Sequence, residues 1–184
     1  VNKGSTRQEE SVYVVRHGQS TWNRQRRWAG HADPPLTDLG RQQAKEVCAS
    51  LEMFRFVSIT SSGLSRARET ARIIADELNL KLLDPVLDMN ERHYGDISGL
   101  TSEEIGAKYP EFLKAWREGK PTEIPGGEPW QEFHSRILSG LRYLSSLPGN
   151  NLIVAHMGVL RAIEINQGWK QTPHDNLSGV WITP

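Results

Sequence analysis

The chain has 184 residues, enough for one domain with a substantial core. Basic and acidic residues balance at 22 each, which argues against a nucleic-acid-coating surface, and no apolar run is long enough to cross a membrane. The only cysteine, Cys48, rules out an internal disulfide framework and a cysteine-rich metal knuckle.

Residues 1–10, VNKGSTRQEE, are polar and read as a tail without the apolar stretch of a signal peptide. Residues 11–184 read as one domain, expected in the cytoplasm. The first strand is VYVV, Val12–Val15. Apolar residues then step by three or four from Asp38 to Phe54, predicting a helix. FVSIT, Phe56–Thr60, is a second strand, followed by a helix over Leu64–Leu78. The stretch 85–129 differs. It carries five prolines and only short helical patterns, at Ser102–Lys108 and Glu111–Arg117, so it reads as a lid-like insertion over one end of a sheet. A helix over Trp130–Leu147, a strand LIVA at Leu152–Ala155, a helix over Gly158–Asn166 and an edge strand at VWI complete the pattern. Alternating strands and helices predict an α/β fold, a three-layer α/β/α sandwich with a mostly parallel sheet.

Chemistry gathers where the strands end. VYVV runs into Arg16-His17-Gly18. FVSIT runs into Ser61-Ser62-Gly63, with Arg66 one turn into the next helix. LIVA runs into His156-Met157-Gly158. In an open parallel sheet, ligands bind beyond the carboxyl ends of the strands. Two histidines, two arginines and helix N-termini at one edge would suit a phosphoryl group, since guanidinium forks meet phosphate oxygens two at a time. The six histidines form no HxH or HExxH spacing, so neither a metal nor another cofactor is predicted.

Six stretches, in order, carry a resemblance: VVRHGQSTWN, GHADPPLTDLGRQQA, SSGLSRARETA, NERHYGDISGLT, PGGE and VAHMGVLRAI. Together they span about four-fifths of the chain and resemble the histidine phosphatase superfamily, also called the phosphoglycerate mutase-like fold. The resemblance implies that His17 is the nucleophile that accepts the phosphoryl group. It implies that Arg16, Arg66 and His156 hold the phosphoryl oxygens and that Glu91 is the proton donor. Asn23 would assist near the pocket, and Gly30 and Tyr94 would belong to the substrate-binding positions. The other nitrogen of His17 would have to donate to a backbone carbonyl, fixing the tautomer in which the attacking nitrogen is bare.

The same constellation serves a phosphatase and a mutase. NERHYG resembles the cofactor-dependent phosphoglycerate mutases. Those enzymes, however, carry a lysine where this chain has Ser102, and Trp-Arg-Arg where it has Trp116-Arg117-Glu118. Two further departures are Pro129 after PGGE, where the phosphatase branch has serine, and Met157 after His156, where glycine is usual. The expectation is a metal-independent phosphomonoester hydrolase acting through phosphohistidine on a small phosphorylated metabolite. A mutase is the alternative, and a phosphate-binding module that has lost catalysis is the third. Trp22, Trp28, Tyr94, Trp116 and Trp130 are candidates for an aromatic rim. No nucleic-acid or membrane partner is expected, and a homodimer is left open.

Overall fold

The computed structural model describes residues 11–182, so the expected tail at residues 1–10 lies outside the described residues. The strands are β1 (Val12–Arg16), β2 (Ser58–Ser61), β3 (Lys81–Leu82), β4 (Asn151–Ala155) and β5 (Gly179–Ile182). They form one sheet in the order β3-β2-β4-β1-β5. The first four run parallel, and β5 pairs antiparallel with β1 at the edge. The helices are α1 (Thr21–Arg24), α2 (Asp38–Glu46), α3 (Cys48–Leu51), α4 (Ser65–Leu78), α5 (Ser102–Lys108), α6 (Pro110–Arg117), α7 (Trp130–Ser145) and α8 (Met157–Gln167).

Side chains alternate across the sheet, so each central strand feeds two cores. Val12 and Val14 of β1, with Ile153 and Ala155 of β4, pack against Phe133, Ile137 and Leu144 of α7 and Leu160 and Ile163 of α8. Val15, Leu152, Val154 and Ile59 face the other way, against Ala67, Ala71 and Ile74 of α4 and Ala44 and Leu51 of α2 and α3. The expected three layers are present. The single helix expected over Asp38–Phe54 is delivered as α2, α3 and a 3-10 turn at Glu52–Phe54, which closes on Arg55 with φ 49°. One apolar stripe still runs along all three, which is why the periodicity reads as one helix. Two short elements, α1 and β3, carry no periodic signal and were not foreseen.

The insertion has its own small core. Tyr94, Ile97, Ile105, Phe112, Leu113 and Ile124 cluster there, with Trp28, Leu100, Tyr109 and Trp116 packed alongside. Two arginines brace it: Arg92, fully buried, within the insertion, and Arg136, partly buried, between it and α7. Arg92 donates through Nε to Glu128 O at 2.8 Å and through Nη1 to Thr122 O at 2.6 Å. Arg136 of α7 donates to the carbonyls of Asp88, Asn90 and Glu91 and pairs bidentately with Glu128 at 2.7 and 2.8 Å.

Pro129 fits this arrangement. It sits at the N-cap of α7, where its fixed φ is favourable, and Glu123 accepts from Trp130 N in place of a capping side chain.

Candidate active site

Register brings the motifs together. Arg16 at the end of β1 lies level with Ala155 at the end of β4, and Ser61 of β2 with Val154. The next residues of the three strands, His17, His156 and Ser62, therefore leave the sheet side by side. The backbone continues the ladder one step, with His17 N donating to Ala155 O and Ser62 N to Val154 O. The rings of His17 and His156 lie 5.2 Å apart.

His17 is buried and locally locked. Its Nδ1 lies 2.7 Å from Gly18 O, which can only accept, so Nδ1 carries the proton. Its Nε2 receives Arg66 Nε–H at 3.1 Å, which requires a bare nitrogen there. Burial, then the Arg66 and Arg16 charges, push its pKa well below the ordinary histidine value, in the direction that favours the neutral ring. Gly18 is needed in this loop. A Cβ there would collide with Gly40 O of α2, and Gly18 N donates to Thr70 Oγ1 at 3.1 Å.

The two arginines are held from the side away from the ring. Arg66, 1 % exposed, donates through Nη1 to Ala32 O at 3.0 Å and through Nη2 to Gly30 O at 2.9 Å, with Asp33 at 3.4 Å. Asp33 also accepts from Ser65 N at the start of α4. Gly30 thus holds Arg66 through its carbonyl. Arg16 donates through Nη1 to His174 O at 2.6 Å, and its Nε is buried without an acceptor among the described residues. Burial lowers the pKa of both guanidinium groups, opposed by the charge of Glu91.

His156 is fully buried. Its Nε2 lies 2.7 Å from Ser62 Oγ, and its Nδ1 has no protein partner among the described residues. Burial and then the Arg66 charge hold its pKa well below the usual range.

Glu91 comes from the insertion and reaches the start of α8. One carboxyl oxygen accepts from Arg92 N at 2.9 Å, and the other from Gly158 N at 3.1 Å. A Cβ on Gly158 would collide with that carboxyl. The glutamate does not pair with the Arg92 guanidinium, which faces Glu128 and Thr122 instead. His31 Nε2 and Arg136 Nη2 both donate to its backbone carbonyl, at 2.7 and 2.9 Å.

Arg16, His17, Gly30, Arg66 and Glu91 line one cavity of about 530 Å³, which also takes in Asn23 and Tyr94, while His156 lies just behind its wall, against His17. Asn23 completes the capping box of α1, whose N-cap is Ser20, its Oδ1 accepting from Ser20 N at 3.1 Å. Tyr94 is buried, and burial followed by the Glu91 charge pushes its pKa well up. Of the five candidate rim aromatics, Trp28, Tyr94 and Trp116 line the cavity. Trp22 packs beside Gly99, and Trp130 stacks on His134. Met157, at the first position of α8, is part of the wall, as is Ser102, whose Oγ accepts from Trp28 Nε1 at 3.1 Å.

Sequence reasoning missed Asp33, His174 and Asn176 and gave Ser62 no role of its own. Asn176 Nδ2 donates to His17 O at 2.7 Å. His174 is tied to α8 by Nε2 against Glu164 Oε1 at 2.8 Å. None of these has a local signature, because each acts on a group more than thirty positions away in sequence or lies within an irregular loop. No three His, Cys, Asp or Glu side chains among the described residues cluster to hold a metal. None of the described helices is long and apolar enough to cross a membrane.

The chain was compared with known proteins. A family model described as "Histidine phosphatase superfamily (branch 1)" matches residues 12–178. Phosphoglycerate mutase-like protein 4 of Arabidopsis thaliana is 36% identical over 157 residues, covering 83% of this chain and 68% of that protein. The 2,3-bisphosphoglycerate-dependent phosphoglycerate mutase 2 of Gloeobacter violaceus is 38% identical over 163 residues, covering 83% and 73%. Among solved structures, Bacillus stearothermophilus YhfR superposes with a TM-score of 0.81 at 26% identity, covering 94% and 90%. TTHB049 from Thermus thermophilus gives 0.75 at 30%, covering 94% and 92%. The sequence match along nearly the whole domain, the shared fold and the paired histidines at the sheet edge agree: this chain belongs to branch 1 of the histidine phosphatase superfamily.

Proposed function

We propose that the chain is a metal-independent phosphomonoesterase working through a phosphohistidine at His17. The observation that carries this is the locked tautomer of His17, whose bare Nε2 faces the cavity beside Arg66. In the first step Nε2 attacks phosphorus, and the P–O bond to the alcohol breaks. Glu91 gives the leaving oxygen its proton. Arg16, Arg66 and His156 hold the three other oxygens, so the added charge meets donors already in place. In the second step Glu91 takes a proton from water, the water oxygen attacks phosphorus, and the P–N bond breaks to release phosphate.

The outer cavity favours hydrolysis. A mutase must grip a second anionic group while excluding water. Here Ser102, Trp28 and Trp116 form that wall. Arg117 lines a separate groove with Lys114 and Glu118, and Arg27 is tied to Gly99 O and Glu104. Arg27, so tied, and Arg26 are the two further arginines that line the same cavity. A second reading, a 2,3-bisphosphoglycerate-dependent mutase, is favoured by the comparisons, since the curated relatives named above carry mutase names.

One experiment separates them. The protein is assayed for phosphate release from a panel of phosphomonoesters and, in parallel, for conversion of 3-phosphoglycerate to 2-phosphoglycerate with 2,3-bisphosphoglycerate present. The hydrolase reading expects phosphate release that survives EDTA, is inhibited by vanadate and disappears in His17→Ala. Isomerisation outpacing phosphate release would establish the mutase. Absence of both, with no phosphoenzyme, would leave the binding module.

A further inference from the structure

Ser62 is fully buried and sits between two groups. Leu64 N–H, which can only donate, points at its Oγ at 3.3 Å. His156 Nε2 lies on the same oxygen at 2.7 Å. The hydroxyl has a single hydrogen. If Nε2 carried the ring proton, Ser62 Oγ would accept twice, and its own hydrogen would be buried without an acceptor. If Nε2 is bare, Ser62 gives it that hydrogen, and all three groups are satisfied. The ring proton then sits on Nδ1, a buried ring nitrogen that no protein group among the described residues meets.

We infer that Ser62 is a positioning residue that fixes His156 as the Nδ1–H tautomer and so makes it a hydrogen-bond donor to the phosphoryl group. The pocket then holds both histidines as the same Nδ1–H tautomer but uses opposite nitrogens of the two rings. His17 bears its proton on Nδ1, against Gly18 O, and offers bare Nε2 to phosphorus. His156 bears its proton on Nδ1 and offers that proton to a phosphoryl oxygen. A neutral donor suits this place, because Arg16 and Arg66 already supply two positive charges beside it. The inference rests on the phosphoryl-pocket reading, but the tautomer is read without turnover.

The test is a long-range ¹H–¹⁵N correlation spectrum of the full chain labelled at histidine, with His156 assigned from its loss in His156→Gln. Wild type should show His156 protonated at Nδ1 and bare at Nε2. Ser62→Ala should lose that single state and show the Nε2–H form. Ser62→Ala should also bind vanadate, and form phosphoenzyme, about tenfold less well, whereas Ser62→Thr, which keeps the hydroxyl, should resemble wild type in all three readouts. An Nε2–H tautomer in wild type would overturn the inference. So would an Nδ1–H tautomer that persists in Ser62→Ala, or unchanged vanadate affinity in that variant. If wild type shows the expected tautomer yet neither binds vanadate nor forms phosphoenzyme, the phosphoryl pocket itself is refuted, and the donor role falls with it.

Discussion

The site is assembled from two regions built on different principles. The sheet edge is set by register: β1 and β4 end level with β2 one residue short, and ladder hydrogen bonds fix the backbones of His17 and Ser62 before any side chain is considered. The insertion has no strand of its own among the described residues. It is held by an aromatic core and by Arg92 and Arg136, which saturate its carbonyls. On the proposed mechanism, the edge supplies the groups that hold and attack the phosphoryl group, and the insertion supplies Glu91 and the wall against the alcohol. The two meet at Gly158, where the start of α8 donates to Glu91. On that proposal, the transfer chemistry sits on the sheet, and selectivity sits on a segment that packs separately.

The largest effect should come from the edge. Arg66→Ala removes a donor beside the nucleophile and should lower kcat/KM by roughly a thousandfold on every substrate. Arg68→Ala, at an exposed position two residues on, should leave rates near wild type. Equal losses at both positions would show that α4 contributes fold rather than a phosphoryl contact.

A change in the insertion should instead depend on the alcohol. Glu91→Gln should slow alkyl phosphates by about a hundredfold, because an alkoxide needs a proton as it leaves. The first step with p-nitrophenyl phosphate should be far less affected, giving a burst of about one product per site and a trapped phosphoenzyme. Uniform slowing without a phosphoenzyme would move the proton donor elsewhere, with His156 the next candidate.

The joint between the regions can be tested alone. Gly158→Ala puts a methyl group against the Glu91 carboxyl. It should reproduce the leaving-group dependence of Glu91→Gln on a smaller scale, about tenfold on alkyl esters. A loss that does not discriminate between leaving groups would mean that α8, rather than Glu91, has shifted.

The smallest effect separates the regions by pH. His17 and His156 have pKa values lowered by burial, so in acid the unfolded chain takes up protons that the folded chain refuses. Their contribution to stability is complete above the ordinary histidine pKa of about 6.5 and falls as pH drops below it, by up to about 1.4 kcal/mol per pH unit for each ring. Glu128 in the insertion behaves differently. Burial raises its pKa, but Arg136 more than offsets this, and the net shift is downward. Its contribution is lost only as pH falls below the ordinary carboxylate range. Urea titrations between about pH 7.5 and 5 should show a decline that flattens in His156→Gln and is unchanged in Glu128→Gln. A decline that persists in the histidine variant would place its origin outside the pocket.

Much of this molecule is written locally in its sequence. Short Val- and Ile-rich runs, helical stripes of three and four, and Arg-His-Gly or His-Met-Gly after a strand are properties of neighbouring residues. They were enough to predict the layers, the sheet edge and the paired histidines. Tertiary structure decided what lies between distant residues. Periodicity cannot tell that Asp38–Phe54 breaks into α2, α3 and a 3-10 turn, since one buried stripe serves all three. It cannot show that Arg16 is steered by the carbonyl of His174, or that Gly30 holds Arg66, because a carbonyl has no side-chain signature. Nor does it reveal Ser62 under His156, for a serine at the end of a buried strand looks alike whether its hydroxyl meets a ring or nothing. Hydrogen-bond partners are chosen by strand register and by the closing of loops over one another, and those are set only when the whole chain has packed.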